Sequence, residues 1–364
     1  MVLPDSVDLA NAPIPTNESE QVLFRHSFET LLRLDCKGEI LPGLAVSWVA
    51  DGTRRTWTFG LREGARLANG SPVTASLVAS SWQRQRGMVE DLGIESAVVL
   101  DDRRLVVTLR DLRDSVPRLF AEPALSITHP PDSTSVSGTW NPGLGGGQAV
   151  VHFQVAPDTD PRDALDRGAD ILMTRSPALV EYAASRQDFA IFPLPWSRTY
   201  VLLQPATAEP LVTAAGELRS LAQDAVRADA RAAEPPFWWN EVAACPARVS
   251  PGSTPTSSRV VYTRGDEVAR GLAERAVAVA GSGTGLRTEA LEPAEFIALL
   301  RSGAERAFVV ALPRQTLAPC REAVALPEGA RIQPLIDTRA HAIVRKGAPP
   351  LTVEWDGTVR VVEP

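Results

Sequence analysis

Residues Phe28–Arg84 read FETLLRLDCKGEILPGLAVSWVADGTRRTWTFGLREGARLANGSPVTASLVASSWQR, and their local signals, taken in order, decide the fold. A helix tail carrying Phe28, Leu31 and Leu32 gives way to a short strand ending at Lys37-Gly38. Pro42-Gly43 then turns the chain ahead of Trp48, and Asp51-Gly52 turns it again. From Thr56 to Leu61 the apolar Trp57, Phe59 and Leu61 alternate with Thr58 and Gly60, the two-residue period of a half-buried strand. Asp51-Gly52 is therefore expected to close a hairpin. Asn69-Gly70 marks a further turn, and beyond Pro72 the Thr74 hydroxyl is placed to cap a helix with Leu77, Val78, Ser81 and Trp82 on one face.

As a continuous string, this stretch resembles the bacterial extracellular solute-binding proteins of family 5, the periplasmic receptors of oligopeptide, dipeptide and nickel ABC importers. The residues that carry the likeness are ETLL (Glu29–Leu32), GEILPGLAVSW (Gly38–Trp48), WTFGLREGARLANGSPVTA (Trp57–Ala75) and Ser81. The chain departs from the pattern after Thr74-Ala75, where Ser76 and Leu77 stand in place of the family's acidic residue. The resemblance implies an α/β, two-lobed periplasmic binding protein (type II-like, cluster C), with a small subdomain inserted in lobe one and a reduced lobe two. Lobe one is expected over 1–240, with the insertion at about 45–150. Lobe two is expected over 255–328, and 329–364 is expected to return to lobe one.

Composition sets the outer bounds. A chain of 364 residues with 44% apolar content is long enough for a large core and for roughly two or three domains. Its 30 prolines and 25 glycines favour a loop-rich α/β chain over a helical bundle. A net charge of −7 with no basic run argues against nucleic acid or an anionic membrane surface as partner. No window of about 20 apolar residues is present to span a bilayer. Met1-Val2-Leu3-Pro4-Asp5 lacks a charged region followed by an apolar core, which taken alone predicts a cytosolic chain. Beside the resemblance, the expectation becomes a mature chain without its signal segment, periplasmic or extracellular and membrane-associated.

Along the chain, Asn17 and Glu20 form a capping-box variant that opens a helix with Leu23, Phe24, Phe28 and Leu31 on its apolar face. Leu105, Val107 and Leu109 alternate after Asp101-Asp102 and predict a second hairpin. Pro130–Gly147 reads as a Pro/Ser/Gly-rich loop. The ALDRGADILM of Ala164–Met173 predicts helix then strand, followed by a helix over Pro177–Ser185 and a strand over Thr199–Leu203. In relatives an asparagine, a proline turn, an arginine and an aspartate come next; here Gln204, Pro210, Arg219 and Arg227 stand there. From Arg259 the pattern is an α/β run: strand 259–263, helix 266–279, strand 286–291, helix 293–301 stopped by Gly303, strand 307–312. The chain then passes through Pro313 to Gly329 directly into Ile332–Val344 and a last hairpin at Asp356-Gly357.

Motifs of catalysis are missing. Gly281-Ser282-Gly283-Thr284-Gly285 follows a helix and precedes a strand, the reverse of a phosphate-binding fingerprint, and reads as a plain connection. No G-x-S-x-G, H-E-x-x-H or Walker pattern occurs, so an enzyme is not expected, nor is any cofactor or metal. Three cysteines and four histidines form no metal pattern. Cys245 and Cys320 lie in Pro-rich loops and are expected to form a disulfide worth on the order of 4 kcal/mol, the alternative being two free thiols. Cys36 reads as an ordinary small residue.

The resemblance implies a ligand held between lobes by hinge closure, and it supplies the candidate contacts. Asn17 and Glu18 lie beside the loop that borders the family's cleft, although Asn17 is also explained as a helix cap. Trp196, Arg198, Tyr200 and Arg314 stand where relatives place ligand-contacting side chains. Core packing is the alternative for Trp196 and Tyr200, and a solvated charge for Arg198 and Arg314. If both arginines face the ligand, a peptide or other carboxylate-bearing small molecule follows, since guanidinium groups bind carboxylates bidentately. The expected partners are this ligand and the ABC permease subunits, with the protein itself a monomer. The competing function is that of a degenerate relative serving as an accessory or scaffolding subunit, with Phe237, Trp238 and Trp239 as its docking patch.

Overall fold

The computed structural model describes residues 1–67, 70–111, 116–128, 135–136, 138–140, 151–157, 159–205, 211, 230–232, 258–302, 306–313 and 330–361. These fall into two compact units, Met1–Leu194 with His341–Pro364, and Pro195–Ala340.

In the first unit, the stretch that decided the fold forms the hairpin expected of it. Ala45–Ala50 pairs antiparallel with Thr56–Leu61, and Asp51 N–H donates to Thr56 O across the turn at 2.8 Å. Arg104–Leu109 and Ile94–Asp101 extend this into a four-stranded sheet. Phe59, Leu61, Leu105, Val107 and Leu109 are buried on its inner face. The Thr74 hydroxyl accepts from Leu77 N–H at 3.2 Å, and the helix Ala75–Arg84 that it caps buries Val78, Ser81 and Trp82. Gly43 is required by close approach, because a Cβ there would lie 2.5 Å from Thr30 O and 2.9 Å from Leu31 O.

The described strands of the larger sheet in this unit run in the order Gly138–Trp140, Phe153–Val155, Val2–Leu3, Ile171–Thr174, His341–Arg345, Phe189–Pro193. Two of them, Val2–Leu3 and Phe189–Pro193, are too short or too irregular in pattern to be read from sequence. The first helix also ends sooner than expected: it spans Glu18–Ser27 with Phe28 as its C-cap. Leu31 and Leu32, placed on a helix tail by their spacing, are fully buried, Leu31 in a bend and Leu32 at the start of the strand Leu32–Leu34. There the backbone of Thr30 and Leu31 accepts hydrogen bonds from Leu44 and Ala45, pairing that a helix would have consumed internally.

The second unit is a sheet covered on both faces. Its described strands run in the order Ala230–Ala232, Ala330–Thr338, Arg198–Pro205, Ala307–Pro313, Arg259–Thr263, Arg287–Leu291. Tyr200, Leu202, Val260, Ala307 and Val309 pack with Leu272, Ala273 and Ala276 of the helix Glu267–Ala280. The alternate residues Val201, Leu203, Val261, Phe308, Val310 and Leu312 pack with Phe296 and Leu300 of the helix Pro293–Arg301. Double-sided burial explains the near-continuous apolar runs of these strands.

The units divide at 194/195 and 340/341, whereas the sequence assigned 195–240 to lobe one and began the return to it at 329. Arg198–Pro205 instead pairs with both Ala307–Pro313 and Ala330–Thr338. The segment Ile332–Val344 is accordingly cut in two: Ala330–Thr338 stays in the second unit, and His341–Arg345 joins the first.

Candidate functional site

Two clusters carry the residues singled out by sequence, one in each unit. The first surrounds the start of the helix Glu18–Ser27. Asn17 is its N-cap, accepting from Glu20 N–H at 2.8 Å while its own amide donates to Ser6 O. Glu20 is a buried carboxylate that does not close the usual capping box. Its Oε1 accepts from Asp8 N–H at 2.9 Å and Asn11 Nδ2 at 2.8 Å, and its Oε2 from Thr16 N–H at 2.7 Å and the Thr16 hydroxyl at 2.8 Å. These bonds pin the loop that leads into the helix, and they satisfy the desolvated charge without a cation. Asp5 adds a second tie through Ser19.

Glu18 is half-buried and pairs with Arg175, which follows the strand Ile171–Thr174. An acid and a guanidinium at a helix N-terminus give this surface groups for both an ammonium and a carboxylate.

The second cluster lies along one edge of the sheet in the second unit. Arg198 sits opposite Pro313 on one side and Thr338 on the other, so the start of its strand meets the ends of both neighbours. The parallel strands Arg259–Thr263 and Arg287–Leu291 end at the same edge, where the helices begin at Asp266 and Pro293. Those helices cover opposite faces, which makes this a topological switch point, and open α/β sheets bind ligands at the carboxyl ends of such strands. Here Arg264 and Glu292 pair at 3.2 Å, both well exposed.

Trp196 is half-buried with the Arg339 guanidinium 4.7 Å from its ring centroid, a cation–π contact. Arg198 is also half-buried. Tyr200 is only 1% exposed and belongs to the core. Its hydroxyl donates to Asp266 at 3.0 Å, and Asp266 in turn caps the next helix by accepting from Ala269 N–H at 2.9 Å. Sequence spacing offered no sign of Arg175, Arg339 or Asp266 as partners, since each lies far along the chain from its contact.

Arg314, Cys245, Cys320 and the Phe237, Trp238, Trp239 run lie outside the described residues. Cys36 is exposed, in the turn where Asp35 accepts from Lys37 and Glu39 N–H. Among the described residues no group of three or more His, Cys, Asp and Glu side chains converges. No described helix is long and apolar enough to cross a membrane.

Residues 39–164 match the family described as "Bacterial extracellular solute-binding proteins, family 5 Middle". That match covers about a third of the chain. Among curated relatives, the chain is 43% identical over 81 residues to the periplasmic murein peptide-binding protein MppA of Escherichia coli K12, a match covering 22% of the chain and 14% of that relative. It is 30% identical over 134 residues to the periplasmic oligopeptide-binding protein OppA of the same organism, covering 29% of the chain and 24% of the relative. These sequence matches thus span well under half of either relative.

Likeness of fold extends much further. A dipeptide-binding protein from Pseudoalteromonas sp. SM9913, solved with Met-Leu, aligns over 99% of this chain and 98% of its own with a TM-score of 0.71 at 12% identity. NikA from Brucella suis, solved with Fe(III)-EDTA, aligns over 98% and 97% with a TM-score of 0.69 at 16% identity. The chain therefore has the α/β fold of these two-lobed solved proteins.

Proposed function

We propose that the protein is the solute-binding component of an ABC importer, not an enzyme, acting outside the cytoplasm. On this reading it takes a small peptide-like or carboxylate-bearing molecule by hinge closure and delivers it to permease subunits as a monomer. One observation carries the proposal: the family match over 39–164 accompanies a whole-chain likeness of fold to binding proteins solved with a dipeptide and with a metal chelate. The chain passes between its two units twice, at 194/195 and 340/341, so bending would be confined to two short segments.

Glu18 with Arg175, and Trp196 with Arg198 and Arg339, are the proposed ligand-facing groups. Tyr200 supports them from the core by fixing Asp266. Acid and guanidinium groups suit the two charges of a zwitterionic ligand, and an aromatic ring such as that of Trp196 suits its apolar part. No finding favours the scaffolding alternative.

A thermal-shift and native mass spectrometry panel of di- to pentapeptides, free amino acids and metal–histidine chelates tests the reading. A true ligand at 100 times its Kd adds about 2.7 kcal/mol of stability, and Arg198→Ala together with Glu18→Gln removes that gain while leaving the unliganded protein folded. A panel without a single shift or adduct would overturn solute binding.

A further inference from the structure

The C-terminal hairpin is fastened to the first helix through a histidine that can hold it in only one protonation state. His26 lies in the last turn of Glu18–Ser27 and is 2% exposed. Its Nδ1 lies 2.7 Å from Val22 O, which has no proton to give, so Nδ1 carries the hydrogen and donates. Its Nε2 lies 3.3 Å from Val361 N, whose N–H must donate to it. Both bonds exist together only for the neutral imidazole with its proton on Nδ1, because a protonated Nε2 would point a hydrogen at the Val361 N–H. The ring of Phe153 closes the site edge-on at 5.2 Å. Val361 ends the hairpin in which Leu351–Val353 pairs with Val359–Val361.

The charged groups around the ring do not welcome a further cation. On the hairpin, Arg360 is paired with Glu354, and Asp356 with Arg25 of the same helix. From the N-terminal strand, the Met1 ammonium donates to the carbonyl of His152, whose own side chain is exposed. Burial pulls the His26 pKa down to about 4. The bond to Val22 opposes this, while Arg360 and the N-terminal ammonium add to it.

We propose that His26 is an acid-sensitive clasp: neutral, it accepts from Val361 and holds the hairpin Leu351–Val361 on the helix Glu18–Ser27; protonated, it repels that N–H and lets the hairpin open. The device would make the C-terminal end of the first unit respond to acid.

Amide exchange over residues 351–361, corrected for the intrinsic pH dependence of exchange, reads the clasp directly, and NMR of the His26 ring reads its protonation in the unaltered protein. Between pH 6.5 and 4 the opening of this segment is expected to rise by between about tenfold and about a hundredfold, with the ring titrating near the lower limit. His26→Gln places Oε1 where Nε2 stood, accepts from Val361 and gains no proton, so its exchange should stay flat over the same range. A flat profile in the unaltered protein would overturn the clasp. So would a rise in His26→Gln as steep as in the parent, which would assign the effect to Glu354 and Asp356. The ring measurement needs no variant, and a midpoint near the ordinary value of 6.5 would by itself sink the proposal.

Discussion

The two units are held together by different physics. In the second, a sheet is buried on both faces by apolar side chains, with Tyr200–Asp266 as a polar tie at its margin. In the first, the C-terminal hairpin docks through a seam of charge: Arg25, Arg33 and Arg360 gather around Glu354 and Asp356, with neutral His26 alongside. Apolar burial is indifferent to proton concentration, whereas a seam of paired carboxylates and a neutral imidazole is not. The contrast teaches that, among the described residues, a dense seam of ion pairs beside a buried imidazole is a feature of the first unit, whereas the buried carboxylate of the second, Asp337, accepts from the Thr199 hydroxyl.

The sharpest way to break this comparison is to damage each unit in its own currency. Phe308 is 1% exposed and meets Phe296 edge-on at 5.8 Å, so Phe308→Ala should cost about 4 kcal/mol in denaturant unfolding. That loss should be the same at pH 7 and pH 5. Arg25→Ala strands the buried charges of Asp356 and Glu354, and should cost about 3 kcal/mol or slightly more at pH 7. Its cost should shrink in acid, as the stranded carboxylates take up protons. If both variants kept their cost at every pH, the distinction between the units would fail.

Lowering the pH without mutation should sharpen it. His26 is depressed in the folded state from 6.5 to about 4. Below pH 6.5 the unfolded chain therefore binds a proton that the folded chain refuses. Stability is full above that pH and falls by up to about 3 kcal/mol as pH drops to the folded value. For Asp356, burial pushes the pKa up, but Arg25 and the Thr358 bonds outweigh it and leave the group below its ordinary 3.8. Its contribution is present above 3.8 and is lost as pH falls below it, so the two groups act in successive windows. A pH series of unfolding midpoints, followed by probes in each unit, should show this loss in the first unit. The smallest effect expected is that of Thr74→Ala, which removes the cap at the start of Ala75–Arg84 and should cost about 1 kcal/mol, independent of pH.

Legibility followed the range of the interaction. The hairpin through Asp51-Gly52, the Thr74 cap and the α/β run from Arg259 to Pro313 were readable because turn chemistry, capping and periodicity act within a few residues. The early end of the first helix was not, because Leu31 and Leu32 keep helical spacing while their neighbours' backbone groups pair with Leu44 and Ala45. Of the proposed contacts, Asn17 was legible as a cap and Glu18 only through the resemblance, and the Arg175 that pairs with Glu18 is 157 residues away in sequence. Tyr200 had the pattern of a strand residue, and nothing nearby in sequence showed that Asp266 would take its hydroxyl.

Sequence by itself determined many of the strands and helices, where most of them turn, and which family's architecture they resemble, since those choices rest on local backbone preference and apolar period. Only the tertiary structure decided that the chain divides at 194/195 and 340/341, that His26 is neutral with its proton on Nδ1, and that Glu20 binds the loop ahead of its helix. Each of these depends on a partner brought close by folding, and a partner's distance in space is not written in its distance along the chain.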